Sequence, residues 1–217
     1  MNQEIAPVVL VIIIVNVLMS MKGFNDIHFF EKYKFNIGSI KSGEKIRAIS
    51  SGFLHADFSH LIFNMLTLYF FADNVLYILG LVGFLVVYFA SLLIGSMYSF
   101  FINRNNNNYS AIGASGAVMG ILYAAILLNP DLTLAFILLP IPIPGYIFAI
   151  GYLLYSVYGM KSRLGNIGHS AHIGGAIGGY ITTILLFPEV LKYNGLLVGI
   201  LAIPIILLIV FSKKFEA

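Results

Sequence analysis

The chain has 217 residues, of which 59% are hydrophobic and only 10% charged, with a mean hydropathy of +0.94. Soluble domains carry about 25% charged residues, so this composition excludes a soluble globular protein. Its apolar blocks approach the roughly 20 residues needed to cross a bilayer, which implies a polytopic membrane protein. The net charge of +3 comes from cations gathered in loops, which excludes a nucleic-acid-binding stripe. The absence of cysteine excludes disulfides, iron–sulfur clusters, thiolate metal sites and a cysteine nucleophile.

A first span is predicted at about Ile5–Met21. It lacks a basic leading region and a clear small-residue cleavage site, and so reads as a retained span and not a signal peptide. The polar stretch from about Lys22 to Phe58 holds Lys22, Lys32, Lys34, Lys41, Lys45 and Arg47. At about 35 residues it is too long for an unstructured link, so it is expected to fold on the surface or dip into the interface. The second span, about Ser59–Leu79, carries His60 and Asn64 near its start, and a tight turn at Gly80 leads to the third, about Leu81–Ile102. After an Asn-rich loop the fourth span runs only from Ser115 to Leu128, stopped by Asn129-Pro130-Asp131. The apolar stretch Leu132–Leu139 is followed by Pro140, Pro142 and Pro144, which cannot continue a helix. The fifth span is therefore placed at about Gly145–Gly159, the sixth at about His169–Phe187 and the seventh at about Gly195–Phe211. The expected fold is all-α, a transmembrane bundle of about seven helices. It forms one domain over residues 1–217, with core spans at about 5–187 and an extra C-terminal span at about 195–211.

The fourth span sets a depth. From Ser115 to Asn129 at about 1.5 Å per residue is about 21–22 Å, against a hydrocarbon core of about 30 Å. If Asn129 marks one face, Ser115 lies below the other and needs a water-filled cavity, because irregular backbone in lipid must be covered by protein or water.

Ionisable groups within spans are costly and mark function by default. By span parity, Ser115, His60, Asn64 and His172 start from the same membrane face. Serine needs a base within hydrogen-bond reach. His172 lies in Ala171-His172-Ile173-Gly174-Gly175-Ala176, whose small residues allow close helix approach, as do Gly116 and Gly120 on the fourth span. Gly113 precedes the serine in Gly113-Ala114-Ser115-Gly116. Two readings fit these residues. One is ordinary glycine packing, with a helix-capping serine and His60 and Asn64 as interhelical polar contacts. The other is a Ser–His dyad in which His60 and Asn64, four apart on one helical face, donate to an oxyanion. No Asp or Glu lies within the fourth or sixth span, so an acidic third member is not available there.

Taken together, Gly113-Ala114-Ser115-Gly116, Ala171-His172, His60-Leu61-Ile62-Phe63-Asn64 and the spacing Arg47, His55, His60, Asn64 resemble the rhomboid intramembrane serine proteases, of prokaryotic type. The resemblance covers about Arg47 to Phe187. It implies Ser115 as nucleophile, His172 as base, and an oxyanion hole of His60, Asn64 and the Ser115 backbone N–H. It also implies six core spans with the seventh as an appendix, no cofactor and no metal. The fifth span and the loop Met160–Gly168 would shape access for a substrate helix. Three positions depart from the family pattern. Met119 stands where an aromatic ring often packs against the imidazole, Ile46 stands for a Trp, and Leu76 stands for an acid.

The implied function is serine endopeptidase cleavage in or beside transmembrane segments of other membrane proteins, within a lipid bilayer. The alternative is an inactive rhomboid-like protein that binds membrane clients. The expected location is the cell membrane, with the site facing the extracytoplasmic side. That orientation leaves only Lys192 of the 12 Lys and Arg on the cytoplasmic side, which runs against the positive-inside rule. A zinc protease is excluded because no His-Glu-x-x-His occurs.

Overall fold

A computed structural model describes residues 5–136, 139–162 and 168–210. Helix α1, Pro7–Asn25, starts with a proline in its first turn, where the missing N–H is not needed. The polar stretch after it is folded, as expected, into short elements with their own caps. Asp26 accepts from the Phe29 N–H at 3.0 Å to start α2, Ile27–Tyr33. Asn36 accepts from the Ser39 N–H at 2.9 Å to start α3, Ile37–Lys41. A one-turn helix α4, Arg47–Ser50, continues into a 3₁₀ turn, Ser51–Phe53. Arg47 is buried and ties this layer together, donating to Glu44 Oε2 at 2.7 Å and to the carbonyls of Glu31 and Lys34 at 2.6 and 3.0 Å. Strand β1, Phe35–Asn36, pairs antiparallel with β2, Ser110–Ala111, just ahead of the serine motif.

The second and third predicted spans are the two helical arms of α5, Phe58–Asn103, which meet at the turn expected at Gly80, where φ of 66° and ψ of −176° are not helical. Asp57 caps it, accepting from the His60 N–H at 2.8 Å. Helix α6 is Ser115–Leu128, the predicted fourth span. The proline-interrupted stretch is a hairpin in place of a broken helix: β3, Thr133–Phe136, pairs with β4, Leu139–Pro144. Every strand of a two-stranded sheet is an edge, where prolines without an N–H are tolerated. Helices α7, Gly145–Ser162, α8, His169–Leu186, α9, Val190–Tyr193, and α10, Gly195–Val210, complete the described chain. Residues 163–167 of the loop expected to shape access, and the Lys213-Lys214 terminus, lie outside the described residues.

The bundle is built around α6. Every residue from Gly116 to Leu128 is buried, between the two arms of α5, α7 and α8. By contrast, large apolar side chains such as Leu18 on α1, Phe70, Val82 and Met97 on α5, Leu185 on α8 and Leu196 on α10 face outward. An apolar exterior over an apolar core is the pattern of a bilayer-embedded bundle, since a soluble surface does not present contiguous apolar faces of this kind. Among the described residues, α1 and α5 are long and apolar enough to cross a membrane. The extra helix α10 is pinned to the core at its start. The Asn194 amide donates to the Leu127 carbonyl at 2.9 Å, and the Tyr180 hydroxyl donates to the Val198 carbonyl at 2.9 Å.

Candidate active site

Two backbone facts place Ser115. Gly113 adopts φ +120°, a left-handed conformation that favours glycine, and turns the chain from β2 into α6. Its N–H donates to the Ser51 carbonyl at 3.0 Å, which anchors the turn to the folded loop layer. Helix α6 then begins at Ser115 with Ala114 at the capping position, and no side chain caps it. The serine is therefore not a helix cap. Its Oγ instead lies 2.7 Å from His172 Nε2.

Close helix approach makes this distance possible. A methyl built on Gly175 of α8 would land on the Gly116 carbonyl of α6, and one on Gly179 would land on the Gly120 carbonyl. The predicted glycine faces thus meet, and Ser115 and His172 sit at the mouth of the seam.

Ser115, His172, His60 and Asn64 all line one cavity of about 550 Å³, together with Phe63, Thr67, Val118, Met119, Leu122, Phe148 and Tyr152. A Cβ added to Gly113 would lie 2.8 Å from His60 Nε2 and 3.5 Å from Ser115 Oγ, so the His60 ring stands beside the hydroxyl. Asn64 donates one amide hydrogen to the His60 carbonyl at 3.1 Å within its own helix. An amide nitrogen carries two hydrogens, so this bond leaves the second for the cavity. The Ser115 amide is the first of α6. The first amides of a helix have no carbonyl one turn back and carry the positive end of the dipole. A hydroxyl bonded to an imidazole, beside several converging donors, is an arrangement suited to acyl transfer.

Two further residues complete the site: Tyr152, which the sequence did not single out, and His55, which it placed in the motif spacing without a role. Tyr152 of α7 places its hydroxyl 3.1 Å from His172 Nδ1, with ring centroids 5.5 Å apart. It stands 20 residues before the histidine, on a different helix and among 13 tyrosines, so spacing carries no signal for it. His55 is fully buried. The Ala114 N–H donates to its Nε2 at 3.4 Å, its Nδ1 lies 2.8 Å from Ser20 Oγ, and Ser20 donates to the Phe53 carbonyl at 3.2 Å. Burial pushes the His55 imidazole down to about 3, with nearby His60 adding to the shift and Asp57 opposing it. His55 is thus a neutral brace between α1 and the residue before Ser115. Its ring also stacks edge-on against His60 at 5.0 Å.

Fold and site define a predominantly helical membrane bundle that carries a serine–histidine pair. A sequence model described as Rhomboid domain matches residues 42–189, more than half of the chain, and the chain belongs to the rhomboid family. It is similar to RHOMBOID-like protein 12, mitochondrial, of Arabidopsis thaliana, at 30% identity over 78% of this chain and 55% of that protein. Rhomboid protein 1, mitochondrial, of Saccharomyces cerevisiae is 30% identical over 63% of this chain and 40% of that protein. The putative rhomboid protease YdcA of Bacillus subtilis is 37% identical over 40% of this chain and 42% of that protein. The chain spans about half the length of the curated relatives it matches. The first two relatives overturn one expectation. They are mitochondrial proteins by name, so the placement in the cell membrane with an extracytoplasmic-facing site does not stand. That placement rested on span parity and the resemblance alone, neither of which distinguishes one cellular membrane from another.

Proposed function

We propose that this chain is a serine endopeptidase that hydrolyses peptide bonds in or next to transmembrane segments of membrane proteins. The observation that carries the reading is the 2.7 Å contact between Ser115 Oγ and His172 Nε2 in a cavity shared with His60 and Asn64. His172 takes the Ser115 proton as the oxygen attacks the substrate carbonyl. The Ser115 N–H, His60 and Asn64 stabilise the negative oxygen of the tetrahedral intermediate. The imidazolium returns the proton to the leaving amine, which leaves an acyl ester on Ser115. Water, deprotonated by the same imidazole, then cleaves that ester. A substrate helix has to unwind to expose a carbonyl here, so small or helix-breaking residues are expected near the cut. The mitochondrial names of two relatives support a mitochondrial membrane as the setting. The rhomboid protease name of the third supports the activity.

The test is purified protein in detergent or liposomes with a model transmembrane substrate, alongside Ser115→Ala and His172→Ala. Cleavage by the wild type alone supports the reading. Equal cleavage by all three removes Ser115 and His172 from the chemistry. A wild type that binds the substrate without cutting it favours the client-binding alternative.

A further inference from the structure

We infer that Tyr152 is a positioning residue for His172, filling with a neutral hydroxyl the place an acid holds in a Ser-His-Asp triad. The inference rests on the dyad reading above. For the Ser115 hydroxyl to donate to Nε2 across 2.7 Å, Nε2 must carry a lone pair. A neutral imidazole has one ring proton, so that proton sits on Nδ1. The Tyr152 oxygen, 3.1 Å away, is its acceptor. This bond selects the tautomer that can receive the serine proton and fixes the plane of the ring. It also remains a donor–acceptor pair when the ring becomes an imidazolium.

A hydroxyl suits the position better than a carboxylate. An unpaired acid in an apolar, membrane-embedded site is costly to ionise, and neither α6 nor α8 carries one. Tyr152 is itself held in place, its ring 5.9 Å from Phe148 and 6.1 Å from Tyr155 on the same helix. Its ring also lies tilted by 34° against the imidazole. It therefore supplies the aromatic contact that Met119, at the fourth position after the serine, does not. Because α7 carries both Tyr152 and the cavity-lining Phe148, one helix shapes the substrate side of the cavity and orients the base.

The experiment compares wild type with Tyr152→Phe, which keeps the ring and removes the hydroxyl. Nitrogen NMR of ¹⁵N-histidine-labelled protein in detergent, with His172 assigned by its loss in His172→Ala, reads the tautomer. Labelling of Ser115 by a small activated phosphonate reads the activation of the serine without needing a transmembrane substrate. Wild type is expected to hold the Nδ1–H tautomer alone. Tyr152→Phe is expected to show averaging between tautomers, with kcat and labelling rate down about three- to tenfold and KM within about twofold. Tyr152→Leu, which also loses the ring contact, is expected to fall further. A Tyr152→Phe protein with the wild-type tautomer, or with the wild-type labelling rate, overturns the inference. If the wild type neither labels nor cleaves, the protease reading falls, while the tautomer comparison still decides the role of Tyr152.

Discussion

Gly175→Ala is the smallest change that should separate the serine from the histidine without touching either. The added methyl would meet the carbonyl oxygen, carbonyl carbon and Cα of Gly116, all backbone atoms of α6 that no rotamer change can move. On the neighbouring face α8 is packed equally closely on α5, where a methyl at Gly174 would lie 2.6 Å from Tyr98 Cβ and 2.8 Å from Gly95 Cα, so a shift of α8 disturbs that contact too. The helices must therefore part by about 1 Å at the level of Gly116, one residue from Ser115, and a misplacement of that size lowers turnover by about 10²-fold. Overpacking of this kind destabilises by about 1–3 kcal/mol. The assay is cleavage of a transmembrane substrate and phosphonate labelling of Ser115, each beside a thermal unfolding curve in detergent. Gly199→Ala on α10, where an added methyl meets nothing within 4 Å, serves as the control and should behave as wild type. A Gly175→Ala protein with wild-type kcat and wild-type Tm would refute the reasoning that this glycine seam sets the Ser115–His172 distance.

His60→Ala and Asn64→Ala are each expected to lower kcat by about 10² or more while the protein stays folded by thermal unfolding. Unchanged rates would return the pair to an interhelical packing role. His55 makes stability depend on pH. Its folded value of about 3 lies below its ordinary 6.5, so the unfolded chain binds its proton first as pH falls. The stability that its neutral form contributes is present above pH 6.5 and is lost toward pH 3, at about 1.4 kcal/mol per pH unit. His55→Gln, which can still accept from Ala114, should show a shallower decline of Tm between pH 6.5 and 4; identical slopes would remove His55 as the cause.

The parts of the fold legible in the sequence are those fixed by local chemistry. The limits of α6 could be read from Ser115-Gly116 and Asn129-Pro130, and the gathering of Ser115, His172, His60 and Asn64 followed from span parity plus glycine faces that permit close approach. The capping carboxamide of Asn36 and the carboxylate of Asp26 sat in a stretch recognised only as too long to be unstructured. The contacts that hold the site from behind were not legible, because they join residues distant in sequence by means that leave no periodic trace. His55 reaches Ser20 across 35 residues and Ala114 across 59. Tyr152 acts through one hydroxyl on a helix chosen for its apolar length. The hairpin β3–β4 escaped for a different reason. Alternating prolines rule out a helix, but they do not disclose that two edge strands will pair with each other.

The complete enclosure of α6 bears on how the surrounding lipid can act. Bilayers that are too thick or too thin are accommodated by helices that touch the acyl chains, through tilting or local deformation. In this bundle those are helices with outward-facing apolar side chains, among them α1, α5 and α10, whereas α6 shows no side chain beyond Ser115 to the outside. The place of the serine within the bundle is accordingly set by its neighbours and not by the membrane's own dimension. A change in lipid chain length would act on the flanks of the cavity and leave the position of the hydroxyl within the protein where the glycine seam holds it.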